Sequence, residues 1–303
     1  MKTNKKGNKR KPVKSSLIWG YVFLTPWILY MLIFLMYPFF HAISDSFLSF
    51  DAINKNNIKF MGIKNWITVL QDKMFWLSIR NIVYNQAIFI GVSFVIALIS
   101  AVLLSGIKRG AAIFRTIYFL PVITSITVSM MLFSFLFNSS GPVQGILVKL
   151  GLLAKPVLWQ FSKTLPMPMI ALFSCWKWFG IQMIIFLGGI ASIDQTIFEA
   201  AGIDGAGKIR QFFSITLPLL RPQMVFVITM NIINGMQMFT EVYMTFDLEG
   251  GPHNAALTPV LYLYKNAFKD MDMGYASAIG MILAVLIFLV TVLQMKVTDK
   301  EVV

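Results

Sequence analysis

The chain has 303 residues, of which 57% are hydrophobic and 13% charged, and its formal net charge is +13. A soluble globular domain carries about 25% charged residues, so this composition and the mean hydropathy of +0.73 exclude an ordinary soluble enzyme and point to a surface solvated by lipid. The lone cysteine, Cys175, has no partner thiol, and the two histidines, His41 and His253, are too far apart in sequence to read as a metal motif.

A bilayer-spanning helix needs about 20 mostly apolar residues. In chain order, a basic tail over residues 1–16 precedes six stretches that qualify: 17–40, 82–104, 112–137, 168–190, 224–246 and 275–295. The fifth is interrupted by Asn231, Asn234, Gln237 and Glu241. Pro26 and Pro121 fall inside the first and third, where neighbouring helices can re-satisfy the freed carbonyls, and they predict kinks. The expected fold class is an all-α membrane protein, a six-helix polytopic transmembrane bundle.

Orientation follows the excess of Lys and Arg expected on the cytoplasmic side. The tail holds Lys2, Lys5, Lys6, Lys9, Arg10, Lys11 and Lys14 with no acid. With that tail inside, six spans bring the C-terminus inside too. The inside segments, counting Arg115 at the inner end of the third span, then hold 15 basic and 5 acidic residues, the outside segments 10 basic and 7 acidic, and Lys177 and Glu241 lie within spans. A basic tail directly before an apolar span reads as an orientation signal, so no nucleic-acid partner is expected. The apolar run is too long for the core of a cleaved signal peptide.

The loop between the fourth and fifth spans, residues 192–222, carries the densest chemistry. Asp194 can cap a short helix bearing Ile197, Phe198, Ala200 and Ala201. Gly205 and Gly207 allow a turn with positive φ or a close backbone approach. A second short helix then carries Ile209, Phe212, Phe213 and Ile215, and Pro218 and Pro222 introduce the next span. This small amphipathic unit has more apolar surface than it can bury alone, so it should dock on something. Its weak basicity argues against a helix lying in the lipid interface.

Glu199-Ala200-Ala201, then Gly205 after three residues, then Ile215-x-Leu217-Pro218 after nine more, resembles the EAA loop of the membrane subunits of binding-protein-dependent ABC importers. Glu249-Gly250-Gly251-Pro252, Leu261-Tyr262-x-Tyr264 with Ala267-Phe268, and Gly274-Tyr275-Ala276-Ser277-Ala278 resemble the sugar branch, the F half of maltose permeases and the A half of glycerol-phosphate permeases. The resemblance implies a type I importer permease fold, with a transmembrane domain over residues 75–297 after the first span at 17–40. It implies a second, non-identical permease subunit, a cytoplasmic ATPase dimer, an extracellular solute-binding protein and a bacterial plasma membrane location. The loop would be the coupling helix seated on the ATPase, with Glu199, Ala200, Ala201, Asp204, Gly205, Ile215, Leu217 and Pro218 as the coupling residues. No Gly-rich phosphate loop is present, so ATP hydrolysis is expected on another chain, and neither cofactor nor metal is expected.

Polar groups inside spans are functional candidates. Sugars are held by aromatic faces and by amides, which Trp178, Asn231 and Asn234 supply. The resemblance places Lys177, Trp178 and Ile181 opposite Asn231, Asn234, Gly235 and Met238 as a substrate pathway. Plainer roles exist for the same residues: the asparagines can bond across helices, Lys177 can snorkel outward, and Trp176 can anchor at the interface. The competing functions are import of another solute, such as glycerol phosphate, and a self-contained secondary transporter, which should show inverted repeats and has no need of such a loop.

Overall fold

The computed structural model describes residues 14–51, 58–107 and 109–299. Most of the basic tail, and Lys55, Lys108, Lys300 and Glu301 from the charge tally, lie outside the described residues. The first rod is Lys14–Tyr30 (α1), a π-helical stretch Met31–Met36, and Tyr37–Asp45 (α2). Pro26 sits within α1. A two-residue antiparallel ladder follows, Leu48–Ser49 (β1) with Lys59–Phe60 (β2), and then a short helix, Lys64–Gln71 (α3).

The centre of the molecule is Lys73–Ser105 (α4) packed along Pro166–Ala191 (α8). Both are apolar nearly all round, as helices buried between lipid and protein must be. Several of their polar side chains are paired: Asn81 Nδ2 donates to the carbonyls of Asn254 (2.9 Å) and Leu257 (3.1 Å), Asn85 Nδ2 donates to the Met167 carbonyl at 3.0 Å, and Ser93 pairs with Gln182. Asp72 caps α4, accepting from the Met74 amide at 2.8 Å, and its other oxygen accepts the Tyr262 and Tyr275 hydroxyls at 2.5 and 2.7 Å. Burial and that carboxylate push the Tyr262 phenol up to about 12. The tyrosines of the two sugar-branch motifs therefore tie Pro259–Phe268 (α14) and Met273–Asp299 (α15) to the start of α4.

Two expected continuous spans are broken. Residues 112–137 form Ala111–Ile123 (α5) and Ile126–Phe137 (α6), separated by extended backbone at Thr124. Pro121 has no N–H to continue the ladder, and Pro142–Lys149 (α7) follows after a short turn. Residues 224–246 form the end of Arg221–Met236 (α12) and then Thr240–Phe246 (α13), with non-helical backbone at Gln237 and Phe239. Thr258 catches this break, its hydroxyl donating to the Met238 carbonyl at 2.9 Å. Among the described residues, five helical stretches are long and apolar enough to cross a bilayer, and six if the pair Lys208–Leu219 and Arg221–Met236, bent by 63°, counts as one.

Candidate functional site

The loop after α8 folds from its own local chemistry. Asp194 caps Gln195–Ile203 (α9), its carboxylate accepting from the Thr196 amide at 2.9 Å, and this bond holds the carboxyl below its usual range. Gly205 follows with φ +77°, a conformation that side chains with a Cβ avoid. Gly207 is different: it is extended, opening Lys208–Gln211 (α10), and a Cβ on it would meet nothing. The helix then runs through a π-helical stretch, Phe212–Thr216, holding Ile215, into Leu217–Leu219 (α11), holding Leu217 and Pro218. No residue of α9 is buried, and Ile203 and Ile209 are 88% and 77% exposed. Glu199, Ala200 and Asp204 are exposed beside them, and Ala201 is half-buried. Gln211 holds the turn together from inside: its amide donates to the carbonyls of Ala206 (3.0 Å) and Phe198 (3.4 Å). Sequence reading passed over Gln211, because a lone glutamine in a polar loop carries no positional signal.

The second feature is a chamber of about 520 Å³ between α4, α8, α12 and the start of α13. Its volume lies within the range of about 300–1,000 Å³ common to small-ligand sites. Six of the seven expected pathway residues line it: Trp178, Ile181, Asn231, Asn234, Gly235 and Met238. Asn231 Oδ1 accepts from Gln182 Nε2 at 3.4 Å, while Asn231 Nδ2, Gln86 Oε1 and Ser174 Oγ have no hydrogen-bond partner among the described residues. A Cβ on Gly235 would stand 2.1 Å from the Gln86 amide group, so Gly235 makes the room that Gln86 occupies. Gln86, Ser174, Gln182 and Glu241 were missed as lining residues. Their polarity within apolar spans was a signal, but nothing local to the sequence shows which helix faces meet.

Lys177 does not line the chamber. It is 1% exposed, does not snorkel, and has its Nζ 5.6 Å from the centroid of the Trp178 ring. Its Nζ donates to the Pro121 and Thr124 carbonyls, both at 2.5 Å, and to Thr124 Oγ1 at 3.0 Å. It therefore fills the gap where α5 breaks from α6. One turn on, α8 presents Gly180, where a Cβ would stand 2.1 Å from the Tyr118 carbonyl; the glycine lets α5 come into contact.

A mostly helical membrane protein with broken spans around an internal chamber, and a short loop protruding with unburied apolar residues, has the architecture of a transport subunit. Residues 93–300 match the family described as binding-protein-dependent transport system inner membrane component, and the chain belongs to that family. It is 33% identical over 283 residues to the arabinooligosaccharides transport system permease protein of Bacillus subtilis, covering 92% of this chain and 88% of that one. It is 30% identical over 277 residues to the lactose transport system permease protein of Rhizobium radiobacter, covering 91% and 92%. A chain of a bacterial ABC transporter involved in import of the acidic polysaccharide alginate superposes with a TM-score of 0.78 at 22% identity, over 94% of this chain and 96% of that one. That likeness extends to the fold.

Proposed function

We propose that this permease subunit forms one half of the pathway of an ATP-driven carbohydrate importer, and that its loop 192–222 couples the pathway to a separate ATPase. The lining of the chamber carries the solute class. An aromatic face at Trp178, the amides of Asn231 and Asn234, and the unpaired polar atoms of Gln86, Ser174 and Asn231 offer a hydroxyl-rich solute both stacking and hydrogen bonds. The oligosaccharide cargoes named for two relatives support the same reading.

The solute arrives from an extracellular binding protein and passes between this chain and a second, homologous permease. Both termini face the cytoplasm, where α9 sits in a cleft of the ATPase dimer. The apolar face of α9 supplies affinity, and Glu199 fixes its register. Closure of the ATPases moves the coupling helices, and the spans follow as rigid bodies. The test is uptake by a reconstituted complex over a panel of oligosaccharides and glycerol phosphate, with Asn231→Ala and Asn234→Ala alongside. Sugar uptake weakened in both variants, with assembly intact, is the expected result. Uptake of glycerol phosphate and of no sugar would refute the solute assignment.

A further inference from the structure

A ladder of aromatic rings leads out of the chamber. Phe239 lines the chamber wall. Its ring stacks on Tyr243 with centroids 5.2 Å apart and meets Tyr264 at 5.0 Å, and Tyr264 meets Phe268 at 4.6 Å. The rings form two i, i+4 pairs on adjacent turns, one at the start of α13 and one on α14. These helices run side by side. Thr258, at the foot of α14, bonds to Met238, just before α13, at 2.9 Å, and Lys269, just past α14, pairs with Glu249, just past α13, at 2.6 Å. The ladder therefore climbs from the chamber to the side read as extracellular. At about 1.5 Å per residue, α14 rises about 15 Å over its 10 residues, farther than one sugar ring reaches.

Resting on the carbohydrate reading, we propose that these four rings form an outer subsite for an extended oligosaccharide whose leading unit occupies the chamber, so that the subunit favours longer sugars over monosaccharides. Each ring offers apolar surface to the C–H side of a sugar unit, and a tyrosine adds a hydroxyl for the sugar's own hydroxyls. The hydroxyls of Tyr262 and Tyr275 are both committed to Asp72, whereas those of Tyr243 and Tyr264 make no hydrogen bond to another described residue. Phe239, Tyr243 and Tyr264 are half-buried, and Phe268 is 52% exposed. Packing between α13 and α14 accounts for neither the uncommitted hydroxyls nor the exposed end. A belt of aromatics at the lipid interface would face outward throughout, whereas this ladder begins in the chamber wall. Continuity with the chamber is what assigns the rings to solute.

Equilibrium dialysis of the purified transporter complex, without the binding protein, reads the subsite directly. The probes are radiolabelled galactose, galactobiose and galactotetraose. The wild type should bind the tetramer about tenfold or more tightly than the monomer. Tyr264→Leu, which keeps apolar bulk but removes the flat ring and its hydroxyl, should weaken the tetramer about fivefold and leave the monomer unchanged, and Tyr264→Trp should restore most of the loss. Phe268→Ser, at the exposed end, should act on the tetramer in the same way without disturbing the fold. Equal binding of all three sugars by the wild type, an unchanged tetramer in both Tyr264→Leu and Phe268→Ser, or equal weakening of every length would overturn the subsite alone; the last would make the rings a packing contact between helices or with the second permease. Failure of all three sugars to bind would overturn the carbohydrate reading along with the subsite.

Discussion

Gly205 shows what a single residue contributes to the loop. Its φ of +77° needs the left-handed region, yet a Cβ placed on it meets no atom of the described residues within 4 Å. The cost of a substitution within this subunit is therefore conformational, about 1 kcal/mol or somewhat more, and asparagine should suffer less than a β-branched residue. Gly205→Asn should retain ATPase binding better than Gly205→Val, as read by pull-down of the ATPase from solubilised membranes. Equal loss in both would show that the partner surface, and not the turn, excludes a side chain. The turn and the Asp194 cap were legible in the sequence because both are set by residues within a few positions of one another. The wall of the chamber was legible only in part. Asn231 and Asn234 share a helical face that spacing alone reveals, whereas the Lys177 ammonium, over the Trp178 ring, is bound to a backbone break more than 50 residues earlier, which spacing does not show.

At the scale of elements, broken helices are the recurring device. The break at Thr124 is satisfied by Lys177, and that at Gln237–Phe239 by Thr258. Irregular backbone at membrane depth persists when protein covers it and supplies its hydrogen bonds. Lys177→Met keeps much of the volume but leaves the Pro121 and Thr124 carbonyls without that donor. A hydrogen bond to a charged group is worth about 1.5–3 kcal/mol, so this variant should unfold at clearly lower temperature in detergent than the wild type. An unchanged melting temperature would mean that the α5–α6 break is held by other contacts. The proline at 121 foretold a kink, but the full break depends on a donor, the Lys177 ammonium, that α8 supplies to its carbonyls.

The α9 helix gives a pH-dependent test at the same scale. The Thr196 amide holds the Asp194 carboxyl below its unfolded value of about 3.9. A depressed native pKa stabilises the helix at pH above the unfolded value, and that stability is lost as pH falls through the native one. Amide-exchange protection in Gln195–Ile203 should therefore be flat from neutrality down to about pH 4 and then decline at lower pH. Asp194→Asn, which keeps a capping oxygen, should remove the decline. A decline of the same size in that variant would assign the pH response to another group.

For the whole molecule, the charge asymmetry and six apolar stretches predict both termini and the 192–222 loop on one side. Single cysteines introduced at Lys9 and Gly205, in a background lacking Cys175, should react with a membrane-impermeant thiol reagent only from the inside, and one at Asn254 only from the outside. External labelling at Gly205 would remove the loop from the reach of any cytoplasmic ATPase. Six apolar stretches were readable because hydropathy is a property of composition. The short helices α3, α7 and α14 between them were not, because their lengths and faces are set by what they pack on.

The central claim is that α9 transmits ATPase closure to the spans. The most direct measurement is sugar-stimulated ATP hydrolysis and sugar uptake in proteoliposomes holding the full complex, for the wild type and Glu199→Lys. Glu199 is exposed and touches no core, so the substitution should leave insertion and assembly of the spans unchanged. The account predicts that Glu199→Lys loses most of its sugar uptake and retains the ATPase poorly on pull-down. Wild-type uptake together with wild-type ATPase retention in that variant would contradict it.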